Sequence, residues 1–164
     1  MKSRSEFLAE LHSWAETPYR HGISTKGPCG GVDCVRFVVS VLEWLHGRNP
    51  SAECIPFDFP AQAAYCSRFP AMELFKWMTD RYASTTVYRK GRDSSVPPIM
   101  PADVIVLEHS DDDPCHMMLG GVDGRVWHSS NWAHGGRVAW TGMTQQMLDS
   151  VWCIWRIEIA ENLR

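Results

Sequence analysis

Asp33-Cys34-Val35-Arg36-Phe37-Val38-Val39-Ser40-Val41-Leu42-Glu43-Trp44-Leu45 is the stretch on which the fold turns. Its β-branched residues suit a strand. Its length, with Asp33 before it and Gly47 after it, favours a buried helix instead, because Asp caps helix N-termini and glycine follows helix ends. Phe37, Val38, Val41, Leu42 and Leu45 then form the core stripe.

Upstream, Ser3-Arg4-Ser5-Glu6 fits a capping box, and Phe7, Leu8, Leu11 and Trp14 recur at helical spacing. These predict a helix over residues 4–15, stopped near Thr17-Pro18 because the residue before proline avoids the helical region. Gly22, Gly27, Pro28, Gly30 and Gly31 make residues 22–31 a loop. Between residues 48 and 100, Pro50, Pro56, Pro60 and Pro70 punctuate the chain. Ala61–Phe69 and Met72–Tyr82 read as short helices, and Ser84–Pro98 as a connector or exposed loop. The last third changes character. Asp103–Glu108, Cys115–Gly120, Arg125–Ser129, Arg137–Trp140 and Val151–Ile159 are short apolar or alternating runs separated by turn residues, and Thr144–Leu148 fits a turn or two of helix. Helices followed by a strand meander predict an α+β fold with a mainly antiparallel sheet.

The chain has 164 residues, which fits a single domain over 1–164 with a core that needs no staples. Hydrophobic residues make up 45% and charged residues 21%, a globular balance that excludes disordered, collagenous and coiled-coil chains. A net charge of −3 supplies no basic field for nucleic acid. No apolar run reaches membrane-span length, and no apolar core follows the basic residues of Met1–Glu6, so no export signal is expected.

Six cysteines are present, none in a Cys-x-x-Cys pair, and a reducing compartment would keep them as thiols. Cys29 and Cys34 have no second pair with which to bind zinc, and Asp111-Asp112-Asp113 reads as a solvated loop. No metal or cofactor is implied. Cys34 is the sharpest chemical candidate. A Gly-rich loop delivers it to the first position of a helix, where free N–H groups and the dipole favour thiolate and can hold an oxyanion. The structural alternative is a buried apolar cysteine. A nucleophilic cysteine needs a base and an orienting group. Among the seven histidines, His116 and His128 lie on consecutive strands. A two-residue turn pairs residues whose numbers sum to 247 and puts the two on opposite faces; a three-residue loop Val122-Asp123-Gly124 with a bulged, left-handed Gly124 pairs residues summing to 246 and puts them on one face, diagonal to each other. Strand alternation points Cys115 to the face opposite His116.

Trp14-Ala15-Glu16-Thr17-Pro18-Tyr19-Arg20-His21-Gly22, Gly31-Val32-Asp33-Cys34, and Cys115-His116-Met117-Met118-Leu119-Gly120 leading to Trp127-His128-Ser129-Ser130 resemble the NlpC-type cell-wall peptidase family. The shared pattern is Thr-Pro-Tyr-Arg, an Asp-Cys entering a helix, a strand opening with His, and a second His after a Gly-containing hairpin. Thr-Pro-Tyr-Arg-His, with Ile55-Pro56 and Pro60, resembles versions from phage tails and gene-transfer particles. The resemblance spans residues 11–46 and 100–140. It implies a papain-like fold, with N-terminal helices packed on the sheet. It also implies a cysteine peptidase that hydrolyses peptidoglycan stem peptides, at a D-glutamyl or diaminopimelyl bond, through an acyl-enzyme. Carried over, it makes Cys34 the nucleophile, His116 the base and His128 the orienting residue, with the active site where the Cys34 helix meets the sheet face bearing the histidines. Tyr19 becomes a substrate-pocket residue whose hydroxyl supports the oxyanion. Asp33 stands beside the nucleophile, where a helix cap already accounts for it. Val35-Arg36 stand where the family usually has Ser-Gly, and Gly22-Ile23 follow His21 where it usually has Gly-Gly. Arg36 either narrows the site or faces an acidic substrate group, and Trp132 is placed to line the cleft.

Two further readings use the same residues. One is a phage-tail assembly or docking protein on this fold with little or no catalysis; the other is a thiol acyltransferase. The missing export signal implies synthesis in the cytoplasm, with delivery to the wall by a particle or a secretion system whose proteins would be its partners.

Overall fold

The computed structural model describes residues 2–48, 78–108, 114–131, 134–158 and 163. The expected helix at Ala61–Phe69, most of that at Met72–Tyr82, Ile55-Pro56, Asp111–Asp113 and Trp132 lie outside the described residues. Residues 78–81 are helical.

Helix α1 spans Arg4–Trp14 and opens with the capping box: Glu6 N donates to Ser3 Oγ at 3.2 Å, and Ser3 N donates to Glu6 Oε2 at 2.8 Å. It stops at extended Ala15 and at Glu16, whose φ is +65°. Helix α2 spans Cys34–Leu45. Asp33 caps it as expected, its Oδ1 accepting from Arg36 N at 2.8 Å. Phe37, Val38, Val41 and Leu42 are completely buried, each contributing about 1.5–3 kcal/mol of transfer free energy. The valines that resemble a strand therefore serve a helix enclosed on most sides.

The residues expected to form one loop at 22–31 include two short paired strands, β1 (Ser24–Thr25) and β2 (Gly31–Val32). Two-residue strands leave no alternation to read. A six-stranded sheet follows: β3 (Ser84–Arg89), β4 (Val104–Glu108), β5 (Pro114–Gly120), β6 (Val126–Ser129), β7 (Val138–Thr141) and β8 (Val151–Ile157), in the order β3-β8-β4-β5-β6-β7. Every pairing is antiparallel. The α+β class and a β4-β5-β6-β7 meander are as expected, but β8, expected to end the meander, lies instead between β3 and β4; β3 corrects the reading of Ser84–Pro98 as a connector. Thr85, Thr86, Val87 and Tyr88 are strand formers, but a register shift between Thr86 and Tyr88 breaks the alternation, and among the described residues this strand pairs only with β8. Helix α3 (Gln145–Asp149), capped by Thr144, precedes β8.

The sheet separates two apolar clusters. Val104, Val106, Met117, Leu119 and Trp127 pack with α1 and α2, while Ile105, Leu107, Met118, Val126 and Ile154 pack on the other side with Met143 and Met147. Under α2, the Glu43 carboxylate takes bonds from Arg48, Arg81 and the Tyr82 hydroxyl. Burial alone would raise its pKa, but these donors bring it down to about 2. Among the described residues, no helix is long and apolar enough to cross a membrane.

Candidate functional site

The β5–β6 hairpin sets the geometry. Leu119 pairs with Trp127 and Gly120 with Val126, so paired numbers sum to 246. Gly121 N donates to Arg125 O at 2.7 Å, closing the loop Val122-Asp123-Gly124, and Gly124 has φ +74°. That is the three-residue arrangement. It sets His128 level with Met118 and His116 level with Ser130, and both imidazoles fall on the Met118 face. Nε2 of His116 lies 2.9 Å from Nδ1 of His128, with the rings edge-on at 80°. The pair is deeply buried, at 7% and 1% exposure. Burial, and then His128, pushes His116 down to about 3; burial, and then His134, pushes His128 down to about 4. Both imidazoles are neutral at pH 7.

They line a cavity of about 370 Å³ together with Glu108, Cys115, His134 and Met147. Cys115 was expected on the opposite face. A bulge intervenes: Leu107 pairs with His116 and Glu108 with Pro114, which leaves Cys115 as the extra residue and turns it toward the cavity.

Cys34 is 4% exposed and belongs to the α2-side cluster, and it is not among the residues lining the cavity. Helix α2 therefore packs on the sheet face opposite the imidazoles, which corrects the expectation of one shared face. Ser129, next to His128, donates its Oγ to Val32 O at 2.6 Å, and Val32 is two residues before Cys34. This bond holds the N-terminus of α2 at the end of the sheet that carries both histidines.

Tyr19 is half-buried at the same end. It bridges to Val32, and its N–H donates to Gly136 O at 2.7 Å. Asp33 is fully buried; its Oδ2 accepts from Gly22 N at 3.0 Å and from Arg36 Nη1 at 2.7 Å, and His21 Nδ1 lies 3.9 Å away. The structure thus sets the Arg36 guanidinium on Asp33, tying the loop after Tyr19 to the start of α2. Ser129 and His134 were missed from the sequence. Ser129 had only its place beside His128 as a signal, and His134 only its place before two glycines. Cys29 is exposed, and burial pushes the Cys153 thiol up. Among the described residues, no group of three His, Cys, Asp or Glu is arranged to hold a metal ion.

No family model and no curated protein matches this sequence. The chain is similar to the crystal structure of Ly7917, with TM-score 0.52 and 12% identity, over 95% of this chain and 63% of that one. At that identity the likeness shows the fold alone, and the chain spans less than two thirds of the matched protein's length.

Proposed function

We propose that this chain is a thiol-dependent amide hydrolase, a papain-like cysteine peptidase of the NlpC type acting on peptidoglycan stem peptides. The observation that carries the reading is the buried, hydrogen-bonded His116–His128 pair, held at the sheet end where α2 begins with Cys34. With Nε2–H of His116 donating to His128 Nδ1, Nδ1 of His116 keeps its lone pair and serves as base. It takes the Cys34 proton as sulfur attacks the substrate carbonyl. The first N–H groups of α2 and the Tyr19 hydroxyl stabilise the oxyanion. His116 returns the proton to the departing amine, and the C–N bond breaks to leave a thioester. His116 then deprotonates a water, which releases the acid and restores the thiol.

Because His116 is neutral at rest, no thiolate–imidazolium ion pair stands before substrate arrives, and His116 has its lone pair available for the Cys34 proton. Delivery to the wall by a phage-tail-like particle or secretion apparatus belongs to this reading.

The position of Cys34 outside the cavity favours a second reading, a docking protein on the same fold without catalysis. Incubation with purified muropeptides followed by product mass analysis separates them. The hydrolase reading expects an amide cleaved with gain of one water by the wild type and none by Cys34→Ala. Intact muropeptides with both proteins refute it and favour docking, and a transferred acyl group marks an acyltransferase.

A further inference from the structure

His134 reaches the site by a backbone that L-residues seldom adopt. Its φ is +53°, followed by +70° at Gly135 and +73° at Gly136, three left-handed residues in succession. Glycine takes this conformation freely, and histidine, though more tolerant of it than most L-residues, adopts it uncommonly. The loop is pinned, since Gly136 O accepts from Tyr19 N at 2.7 Å. The outcome is an exposed imidazole whose ring centre lies 5.6 Å from that of His128 at 85°, on the wall of the same cavity.

We propose that His134 is a positioning residue for the His116–His128 pair, an exposed imidazole whose charge governs how readily the buried pair accepts a proton. The proposal rests on the hydrolase reading for its catalytic consequence, but the coupling itself does not require turnover. When His116 takes the Cys34 proton, positive charge develops on the buried pair. A protonated His134 opposes that charge, and a neutral one leaves it to be stabilised by His128. The electrostatic influence of His134 on His128 already has this sign.

Among the described residues, the other charged or titratable groups around the cavity leave this role to His134. Glu108 is held by Lys90, Arg137 on the loop side is held by Glu16, and Cys115 is half-buried. Among the described lining residues, His134 is the exposed imidazole. Unit charges 5–6 Å apart beside solvent shift a protonation equilibrium by about tenfold.

The experiment follows imidazole nitrogen and carbon-bound proton resonances of the full chain from pH 8 to pH 4.5, in the wild type and in His134→Asn. Asparagine tolerates left-handed backbone, so the variant keeps the loop. In the wild type, the His128 signals should show an inflection at the pH where His134 titrates; in His134→Asn that inflection should vanish. In parallel, wild-type kcat/KM on muropeptides should fall about tenfold across the same inflection, and the variant's should not. His128 signals without that inflection, or with one that survives in His134→Asn, overturn the proposal. If no muropeptide is cleaved, the hydrolase reading fails alone, and the resonances still decide the coupling.

Discussion

The buried imidazole pair should make the protein lose stability on mild acidification, by an amount the geometry sets. In an unfolded chain a histidine takes up its proton near pH 6.5. Folded His116 does so only near 3 and His128 near 4, because burial disfavours the charged rings. Below pH 6.5 the unfolded chain therefore binds protons that the folded chain refuses. The stability contributed by each neutral ring is complete above that pH and is lost as pH falls toward the folded values. At pH 5 the difference is about 2 kcal/mol for each histidine, or about 4 kcal/mol for the pair. Urea unfolding at pH 8 and pH 5, followed by tryptophan fluorescence, measures it. His116→Asn should lose about 2 kcal/mol less than the wild type between the two pH values, since every other titrating group is common to both proteins. Equal losses would refute the reasoning, because His116 would then titrate as freely folded as unfolded, and a neutral buried base would not exist.

Limiting iodoacetamide near pH 6, with peptide mapping, should label exposed Cys29 before Cys34, which is only 4% exposed, while the resting imidazole pair carries no charge. The helix N-terminus and a His116 partner, read from the sequence, would instead put Cys34 first, so first labelling at Cys34 would count against a neutral pair. Glu43→Gln should destabilise by about 2–4 kcal/mol in urea at pH 7, because it removes the shared acceptor of Arg48, Arg81 and buried Tyr82. Ser129→Ala should cost about 1–2 kcal/mol in the same assay, through loss of its bond to Val32 O, and should lower kcat on muropeptides as the start of α2 loosens from the sheet.

The elements that could be read in advance carry strong local signals. Ser3 and Glu6 cap α1, Asp33 caps α2, and Asp123-Gly124 marks a hairpin whose register follows from its loop length. That one register was enough to join His116 to His128, since a shift of a single residue would have sent them to opposite faces. What escaped was set by partners distant in sequence. Strand β3 depends on β8, sixty-odd residues later, and a bulge erases its period. The turn of Cys115 into the cavity comes from the Leu107–Glu108 irregularity in the neighbouring strand. The placement of α2 on the face away from the imidazoles follows from which alternate residues of β5 and β6 meet the helix, and neither strand is polar enough on either side to announce it. His134 owes its role to a backbone conformation that a histidine's identity does not signal.

The central claim is covalent chemistry at Cys34, and the most direct measurement is the mass of the protein caught during turnover. Wild-type protein mixed with purified muropeptide and quenched in acid should carry a thioester adduct equal in mass to the acyl portion of the cleaved peptide. Peptide mapping should place that adduct on Cys34, and Cys34→Ala should show neither adduct nor product. Cleavage that persists in Cys34→Ala, or an adduct on Cys115 or Cys29 instead, would contradict the account.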